Sequence, residues 1–377
     1  NTDNHMKLKK VNTVDFSLLK VPKEGALPKD KKYTRTVLAL TLLVLIILSY
    51  VYFGVCGTGL AVFFIDIDDY FYECVDNIMA RSNFQKFLLF APALLFDTTR
   101  YYLPNTIVFF IMLFKRKKTK EEDEFHPFVS IILPAYNEGA NIKKTLDSIL
   151  ANNYDNFEII VVDDASTDLT PPICREYQKN GLIKFFRKET RGGKPSALNY
   201  GLQFAKGELI FHFDAEVVVY INAIREAVKP FKDPKVGAVS GDLKVANDKK
   251  SLATRLQAAE YGMGISVQRR WLSATKTLQI ASGAFGVFRR EILMESKGTD
   301  PETGEDLDIT LKTKKMGHKV VFAPDAIAKT NVPETFWHLF KQRVRWDRCY
   351  IRLNLRKHGN ISNFKKFQFG DFCAFIL

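Results

Sequence analysis

The segment from Glu208 to Glu216 reads Glu-Leu-Ile-Phe-His-Phe-Asp-Ala-Glu, an apolar run that ends in two carboxylates. Because successive side chains of a strand alternate between its faces, we expect Asp214 and Glu216 to point the same way where the strand ends. Two oxygen ligands at that edge suit a divalent cation that also holds phosphate oxygens. Acidic pairs of this kind also occur on solvated turns, so the rest of the sequence must decide between a cation site and a solvated turn.

This segment closes a series of apolar strands and amphipathic helices that begins near residue 126. We predict strands at Phe128–Pro134, Phe157–Asp164, Ile183–Arg187 and Glu208–Asp214, and helices at Asn141–Leu150, about Pro171–Lys179 and Ala197–Ala205. The alternation predicts an α/β fold with a mostly parallel sheet and helices on both faces. Near-continuous apolar strands agree with burial on both sides of the sheet.

The chain before this series has a different character. Residues 1–36 are polar and lysine-rich, and we predict that they form a cytosolic N-terminal segment. No charged residue occurs between positions 37 and 65, a run longer than the ~20 apolar residues that a helix needs to cross a bilayer. A second apolar stretch covers residues 87–114, after an acidic and aromatic loop. We therefore predict two transmembrane segments within residues 37–114.

The distribution of charge agrees with a membrane protein. Lysine and arginine outnumber acidic residues by 55 to 42, and basic clusters flank the apolar region near residues 29–35 and 115–120. Positive flanks stay on the cytosolic side, which predicts a multi-pass plasma-membrane protein whose residues 126–350 lie in the cytosol. The clusters adjoin the bilayer, a predicted partner, and do not alternate with aromatic residues on one face, which disfavours nucleic-acid binding. The five cysteines and six histidines show no metal-binding spacing.

Polar residues follow the first two predicted strands. Strand one leads into Pro134-Ala-Tyr-Asn-Glu138, and strand two into Asp163-Asp-Ala-Ser-Thr-Asp168. The carboxyl edge of such a sheet is where nucleotides bind. Helix capping is the alternative for Asn141, Ser166 and Thr167. We predict capping for Ser166 and Thr167, whereas paired aspartates at a strand end favour ligand binding.

The segment Arg191-Gly-Gly-Lys194 precedes the third predicted helix. Glycines let a backbone approach phosphate closely, and lysine supplies a positive charge for a diphosphate. A tight turn with a solvated lysine is the alternative interpretation.

These motifs are followed by Ser282-Gly-Ala-Phe-Gly286, Gly304-Glu-Asp306 and Gln342-Arg-Val-Arg-Trp346. In this order they resemble the family 2 glycosyltransferases, and within them the processive membrane synthases of cellulose, chitin, hyaluronan and poly-N-acetylglucosamine. The resemblance covers about residues 129–349. It implies a GT-A-type nucleotide-sugar domain at residues 126–350. It also implies a processive inverting β-glycosyltransferase that polymerises UDP-GlcNAc or UDP-glucose into an extracellular polysaccharide.

The resemblance also implies roles for individual residues. A UDP-sugar donor would be bound by Tyr136, Glu138, Asp163, Asp164, Lys194 and Asp214. Asp214 and Glu216 would hold Mg²⁺ or Mn²⁺, and Asp306 would be the general base. The growing glycan acceptor or the diphosphate would contact Gln342, Arg343, Arg345 and Trp346, and Phe285 would line the acceptor entrance. The neighbours of Asp306, Glu305 and Asp308, are expected to raise its pKa.

Glu216 departs from the Asp-x-Asp motif that is usual in the family. Glutamate also coordinates cations but reaches one methylene farther, so either the cation lies slightly displaced or turnover is reduced. The sequence does not decide whether Glu216 is native or substituted.

Residues 351–377 are expected to form an interfacial helix and the start of a further membrane segment. Two other functions remain open, namely transfer of one sugar to a membrane lipid and a UDP-sugar-binding scaffold with impaired catalysis. The motifs do not define the sugar, the linkage, the primer, the oligomeric state or accessory subunits.

Overall fold

The computed structural model describes residues 76–86, 106, 110, 125–300, 302 and 304–358. The chain divides into two units, residues 1–96 and 97–377. In the first unit, residues 76–79 and 83–86 are helical. Within the described ranges, no helix has both the length and the apolar character needed to cross a bilayer. The predicted segment 1–36, nearly all of 37–114 and residues 359–377 lie outside the described residues.

The second unit is built on one eight-stranded sheet. Its strands are β1 (Val129–Ala135), β2 (Phe157–Asp163), β3 (Lys184–Arg187), β4 (Leu209–Phe213), β5 (Val218–Val219), β6 (Val236–Val245), β7 (Phe285–Arg289) and β8 (Lys319–Thr330). They lie in the order β3-β2-β1-β4-β7-β6-β8-β5. Pairing is parallel among β3, β2, β1 and β4 and between β6 and β8, whereas β7 and β5 run antiparallel to their neighbours. The predicted mostly parallel sheet is confirmed.

The helices fill the connections between the strands. They are α1 (Ile142–Leu150), α2 (Thr170–Lys179), α3 (Lys194–Leu202), α4 (Ala223–Val228), α5 (Leu252–Glu260), α6 (Gln268–Ala274), α7 (Arg290–Glu295), α8 (Glu305–Lys315) and α9 (Phe336–Ile351). A π-helix, Tyr261–Val267, joins α5 to α6, and a second one, Arg352–Lys357, follows α9. The four strands and three helices predicted between residues 128 and 214 are all present. Helix α3 begins three residues earlier than predicted, because the first turn of a helix tolerates Pro195.

The core has two faces because side chains alternate along each strand. Ile131 packs with Leu146 of α1 on one face, and Ile132 packs with Leu198 of α3 on the other. A Cβ at Gly201 would lie 2.6 Å from a methyl group of Ile132. Glycine therefore allows α3 to approach the sheet closely.

The strand order reverses at β1. The chain passes from β1 outward to β2 and β3, and then returns to place β4 on the opposite side of β1. A crevice forms at such a switch point, at the carboxyl ends of the strands. The loops that follow β1, β2 and β4 meet there, and they carry the predicted nucleotide and metal residues.

Candidate active site

The loops after β1 and β2 are held together by side-chain hydrogen bonds. The Asn137 N–H donates to Ser166 Oγ (2.9 Å), and the Thr167 N–H donates to Asn137 Oδ1 (2.9 Å). The Glu138 N–H donates to the hydroxyl of Thr170 (2.8 Å). The predicted helix capping by Ser166 and Thr167 is wrong, since α2 begins at Thr170 and both side chains bond across to the neighbouring loop.

Asp163 lies beneath this pair of loops. Its carboxylate is fully buried, accepts the Ser166 N–H (3.1 Å) and forms an ion pair with Nε of Arg187 (3.2 Å). These contacts shape the loop at the end of β2. Its predicted contact with the nucleotide stays a prediction.

Asp164 organises the glycine turn that precedes α3. Its carboxylate accepts the Gly192 N–H (2.9 Å), the Gly193 N–H (2.6 Å) and the ammonium of Lys188 (2.5 Å). Burial favours the neutral acid, but these three donors outweigh burial and lower the pKa of Asp164. The carboxylate therefore stays ionised and links the ends of two loops.

Tyr136 provides an accessible ring at the same edge. The guanidinium of Arg191 lies over this ring, 3.9 Å from its centroid, and the residue is 36% exposed. A cation stacked on an aromatic ring forms a flat, positively charged surface. Such a surface suits a planar base attached to phosphate.

Three carboxylates lie at the centre of the crevice. The pKa of Glu216 is raised to about 7 by burial and by the charges of Asp214 and Glu138. Burial and the charge of Asp214 also raise the pKa of Glu138, against a hydrogen bond from Asn141. Glu138 therefore adds its negative charge to those of the predicted pair, Asp214 and Glu216, in one region of negative potential. The Thr330 hydroxyl donates to Glu216 Oε1 at 3.3 Å.

Lys194 connects this acidic region to α8. Its ammonium lies 2.5 Å from Asp214 Oδ1 and 3.3 Å from Glu305 Oε1, and it donates to the Gly283 carbonyl (3.1 Å). Burial favours the neutral amine, but the charges of Asp214 and Glu305 outweigh burial and raise the pKa of Lys194. The structure thus associates Lys194 with the end of the crevice where a diphosphate is predicted.

Asp306 lies in the first turn of α8, beside Lys194. Its Oδ2 accepts the Gly283 N–H (3.0 Å), and its Oδ1 accepts the Leu307 N–H (2.8 Å). Burial and then the charge of Glu305 raise the pKa of Asp306. A half-buried carboxyl with a raised pKa is suited to proton transfer.

The expected effect of Asp308 on Asp306 is not found. Asp308 is fully buried and pairs with Lys312 (2.8 Å) and with Nε2 of His358 (2.8 Å). These partners lower its pKa against burial. Asp308 lies two residues further along α8 than Asp306, and these partners balance its negative charge locally.

Helix α9 carries the predicted acceptor residues. The Arg343 guanidinium pairs with Glu260 (2.6 Å) and lies over the Trp346 ring, 4.3 Å from its centroid. Trp346 and Arg345 are exposed, whereas Gln342 is half-buried. The side-chain oxygen of Gln342 is buried without a hydrogen-bond partner within the described residues. Helix α9 thus carries an exposed indole and, within the described residues, an unpaired side-chain oxygen.

Gly304 brings α9 close to the start of α8. A Cβ at this glycine would lie 3.0 Å from Cys349 Cβ and 2.9 Å from Leu353 Cδ1. Trp346 precedes Cys349 by three residues and therefore shares its side of the helix. The contact at Gly304 packs the Cys349 side of α9 against the start of α8, the helix whose second residue is Asp306.

The prediction for Phe285 is corrected. Phe285 is fully buried in β7, with its ring 4.8 Å from that of Phe213. A Cβ at Gly241 would lie 2.3 Å from the Phe285 ring. Phe285 is therefore a core residue and does not line an acceptor entrance, because alternation along β7 turns it inward.

Sequence reasoning missed three participants, namely Lys188, Glu305 as a partner of Lys194, and Arg269. The first two interact with residues distant in sequence, and no local pattern identified them. Arg269 belongs to an Arg-Arg pair that follows a largely apolar segment at residues 261–267. A charged residue directly after an apolar helical segment is a signal from which sequence analysis could have identified Arg269.

The oxygen atoms of Asp214 and Glu216 fit a divalent cation. They are the ligands that Mg²⁺ and Mn²⁺ prefer, and the pKa of Glu216 is raised first by burial and then by the charges of Asp214 and Glu138, which a cation would offset. Across the described part of the chain, no three His, Cys, Asp or Glu side chains gather as a metal-binding group. The two carboxylates therefore fit a cation that takes its other ligands from phosphate and water.

Comparisons with known proteins agree with this geometry. The model of the family described as glycosyl transferase family 2 matches residues 130–296. A poly-β-1,6-N-acetyl-D-glucosamine synthase of Staphylococcus epidermidis is 32% identical over 266 residues, covering 69% of this chain and 64% of that protein. The synthase of the same name from Staphylococcus aureus strain COL is 29% identical over 292 residues, covering 76% and 70%.

Solved structures include a similar fold. A mannosyltransferase from Pyrobaculum calidifontis, in complex with GDP-Man and Mn²⁺, matches with a TM-score of 0.55 and 27% identity, covering 69% of this chain and 73% of that one. The chain spans slightly less than two thirds of the length of the S. epidermidis synthase. Residues 130–296 are therefore a glycosyl transferase family 2 domain with a GT-A-like α/β fold, and the chain is homologous to the poly-β-1,6-N-acetyl-D-glucosamine synthases.

Proposed function

We propose that this chain is a processive, inverting β-glycosyltransferase that polymerises a UDP-sugar into an extracellular polysaccharide. The supporting observation is that Asp306, Lys194 and Asp214 form one connected set of contacts at the carboxyl edge of a family 2 domain. The names of the relatives favour UDP-GlcNAc over UDP-glucose as the donor.

The donor nucleotide lies along the loops after β1 and β2. Tyr136 and Arg191 face the base, and Asp164 holds the Gly192–Gly193 turn at the end of the same loops. Asp163 and Glu138 line the same loops. Lys194 faces the diphosphate, where its charge stabilises the negative charge that develops on the leaving UDP.

The transfer itself is a single displacement. The acceptor hydroxyl oxygen attacks the anomeric carbon as the bond from that carbon to the diphosphate oxygen breaks, so the bonding electrons leave with UDP. Asp306 takes the proton of the attacking hydroxyl. Because attack and departure occur on opposite faces of the sugar, the anomeric configuration inverts.

Asp214 and Glu216 would hold Mg²⁺ or Mn²⁺. When bound, the cation supplies charge stabilisation to the diphosphate. Glu138 adds to the negative potential at this position.

The acceptor glycan lies between α8 and α9. Trp346 stacks on an apolar face of a sugar ring. Arg343 and Arg345 donate to its hydroxyl groups or to the diphosphate, and the side-chain oxygen of Gln342 accepts from a hydroxyl group. We place the enzyme in the plasma membrane with this domain in the cytosol, on the basis of the uncharged run at residues 37–65 and its basic flanks.

The proposal is tested with purified protein in detergent, to which UDP-GlcNAc or UDP-glucose is added singly with Mn²⁺, Mg²⁺ or a chelator. We expect cation-dependent UDP release from UDP-GlcNAc and a product of high molecular mass that a β-1,6-specific hexosaminidase digests. UDP release from UDP-glucose alone would reverse the donor assignment.

The other functions predict different results. Transfer of one sugar to a lipid yields a small, organic-extractable product in place of a polymer. A scaffold binds UDP-sugar but releases no UDP with any cation. Either outcome would contradict the proposal.

A further inference from the structure

Arg269 carries a guanidinium that is packed against the sheet beneath the candidate active site. It lies in the second position of α6, directly after the π-helix Tyr261–Val267. Its Nη1 donates to the hydroxyl of Ser240 (2.8 Å), a fully buried residue of β6. π-Helical segments within longer helices frequently occur at functional sites.

A chain of hydrogen bonds leads from Arg269 to the candidate base. The hydroxyl of Ser240 also accepts the Ser282 N–H (3.4 Å). The next backbone amide, that of Gly283, donates to Asp306 Oδ2 (3.0 Å). Arg269 therefore supports the turn that orients the carboxylate of Asp306.

Electrostatics connect the same residues. Burial lowers the pKa of Arg269, and the charge of Asp306 is the strongest opposing influence, ahead of Tyr261 and Asp242. Within the described chain Arg269 forms no ion pair of its own, whereas Asp242 is paired with Lys244 at 3.1 Å. Arg269 is half-buried, and partial desolvation of a guanidinium without a paired carboxylate is unfavourable. The strongest compensating charge is that of Asp306.

Asp306 is itself flanked by opposing charges. Glu305 of α8 favours its neutral form, while Lys194 of α3 favours its ionised form. Lys194 is already shared between Asp214 and Glu305. Arg269 approaches from α6 as a second cation, one that no carboxylate near Asp306 engages directly.

We propose that Arg269 is a positioning residue for sugar transfer, which fixes the Ser282–Gly283 turn and favours the ionised form of Asp306. This inference rests on the proposed function, in which Asp306 accepts the proton of the attacking hydroxyl. It assigns two separable tasks, one to the hydrogen bond with Ser240 and one to the charge.

The test compares four variants by UDP release from UDP-GlcNAc between pH 5 and 9. We expect Arg269→Gln to lower kcat at least tenfold and to move the acidic limb of the profile upward by about one pH unit. Arg269→Lys should restore the position of the limb, because it restores the charge. Ser240→Ala should lower kcat without moving the limb, since it removes only the hydrogen bond.

Arg270 offers a matched control. Its Nε donates to the Ser266 carbonyl, one turn back along its own helix (2.9 Å). Arg270→Gln should leave both kcat and the acidic limb as in the wild type. An unshifted profile for Arg269→Gln, or an equal shift for Arg270→Gln, overturns the inference.

A thermal double-mutant cycle tests the same interaction without turnover. At pH 8, Arg269→Gln should lower the unfolding temperature more in the wild type than in an Asp306→Asn background, because the interaction is already lost in the latter. Additive losses overturn the inference. A wild-type protein that releases no UDP overturns the proposed function instead, and the thermal cycle still reports on Arg269.

Discussion

Replacing Gly304 by alanine perturbs the contact that joins the acceptor helix to the helix of the base. Gly304 has a φ of +91°, and an added Cβ would lie 2.9 Å from Leu353 Cδ1 and 3.0 Å from Cys349 Cβ. A left-handed conformation costs an L-residue about 1–2 kcal/mol. Carbon atoms prefer separations of about 3.5–4.0 Å, and overpacking a well-filled contact typically adds about 1–3 kcal/mol. The sum is about 2–5 kcal/mol of lost stability.

Gly317 provides the matched control for this estimate. Its φ is +83°, and an added Cβ would have no neighbour within 4 Å. Gly317→Ala therefore carries the backbone cost of about 1–2 kcal/mol without the packing cost. The difference between the two variants isolates the close approach of α9 to α8.

Thermal unfolding of both variants in the same detergent measures this difference. In a domain of this size, each kcal/mol lowers the unfolding temperature by about 2–4 °C. We expect a loss of about 4–20 °C for Gly304→Ala and about 2–8 °C for Gly317→Ala. Gly304→Ala should also lower kcat, because it disturbs the packing of α9, which carries the predicted acceptor residues, against α8, which carries Asp306. If Gly304→Ala and Gly317→Ala lower the unfolding temperature equally and have equal turnover, the close packing of α9 against α8 at Gly304 is refuted.

Three further changes test individual roles in the site. Asp306→Asn should lower kcat about 10²–10⁴-fold while the UDP dissociation constant measured by calorimetry stays unchanged; a loss of UDP affinity contradicts its role as base. Asp164→Asn should weaken UDP binding, because a neutral amide no longer holds the Gly192–Gly193 turn through charged hydrogen bonds; unchanged calorimetric affinity separates this turn from the nucleotide. Glu216→Asp should keep or raise the Mn²⁺-dependent rate of UDP release, and a large loss would show that the longer acid is required.

The acidic limb of the wild-type pH–rate profile is a further expected outcome. Burial and Glu305 raise the pKa of Asp306, and a base must be ionised to accept a proton. Activity should therefore rise with pH through a value above the usual aspartate pKa of about 3.9. With saturating Mn²⁺, which favours ionised Glu216, the residual activity of Asp306→Glu should keep such a limb, whereas Asp306→Asn should lack it.

The strands around the switch point were predictable from local pattern. The apolar runs that became β1, β2 and β4 are buried on both faces, so their composition alone distinguishes them from solvent-exposed strands. The polar residues that follow them mark the carboxyl edge. This is why Tyr136, Asp164 and Asp214 were found without knowledge of the sheet order.

The second half of the sheet was less accessible to such reasoning. β7 runs antiparallel between β4 and β6, and its short apolar run does not reveal which face is buried. Phe285 was consequently assigned to an acceptor entrance, whereas the sheet turns it into the core against Phe213.

Apolar periodicity and turn residues are local properties, and they were enough to indicate an α/β fold and to name most of the acids at its carboxyl edge, whereas the nucleotide-sugar function was implied by the resemblance. Which of those acids share a lysine or a loop depends on distances between segments far apart in the chain. Only packing decides that Lys194 lies between Asp214 and Glu305, that Arg269 supports Asp306 through Ser240, and that α9 meets α8 at Gly304. Coulomb energy and steric contact act through space, so such partners are defined by the folded sheet and not by their spacing in the chain.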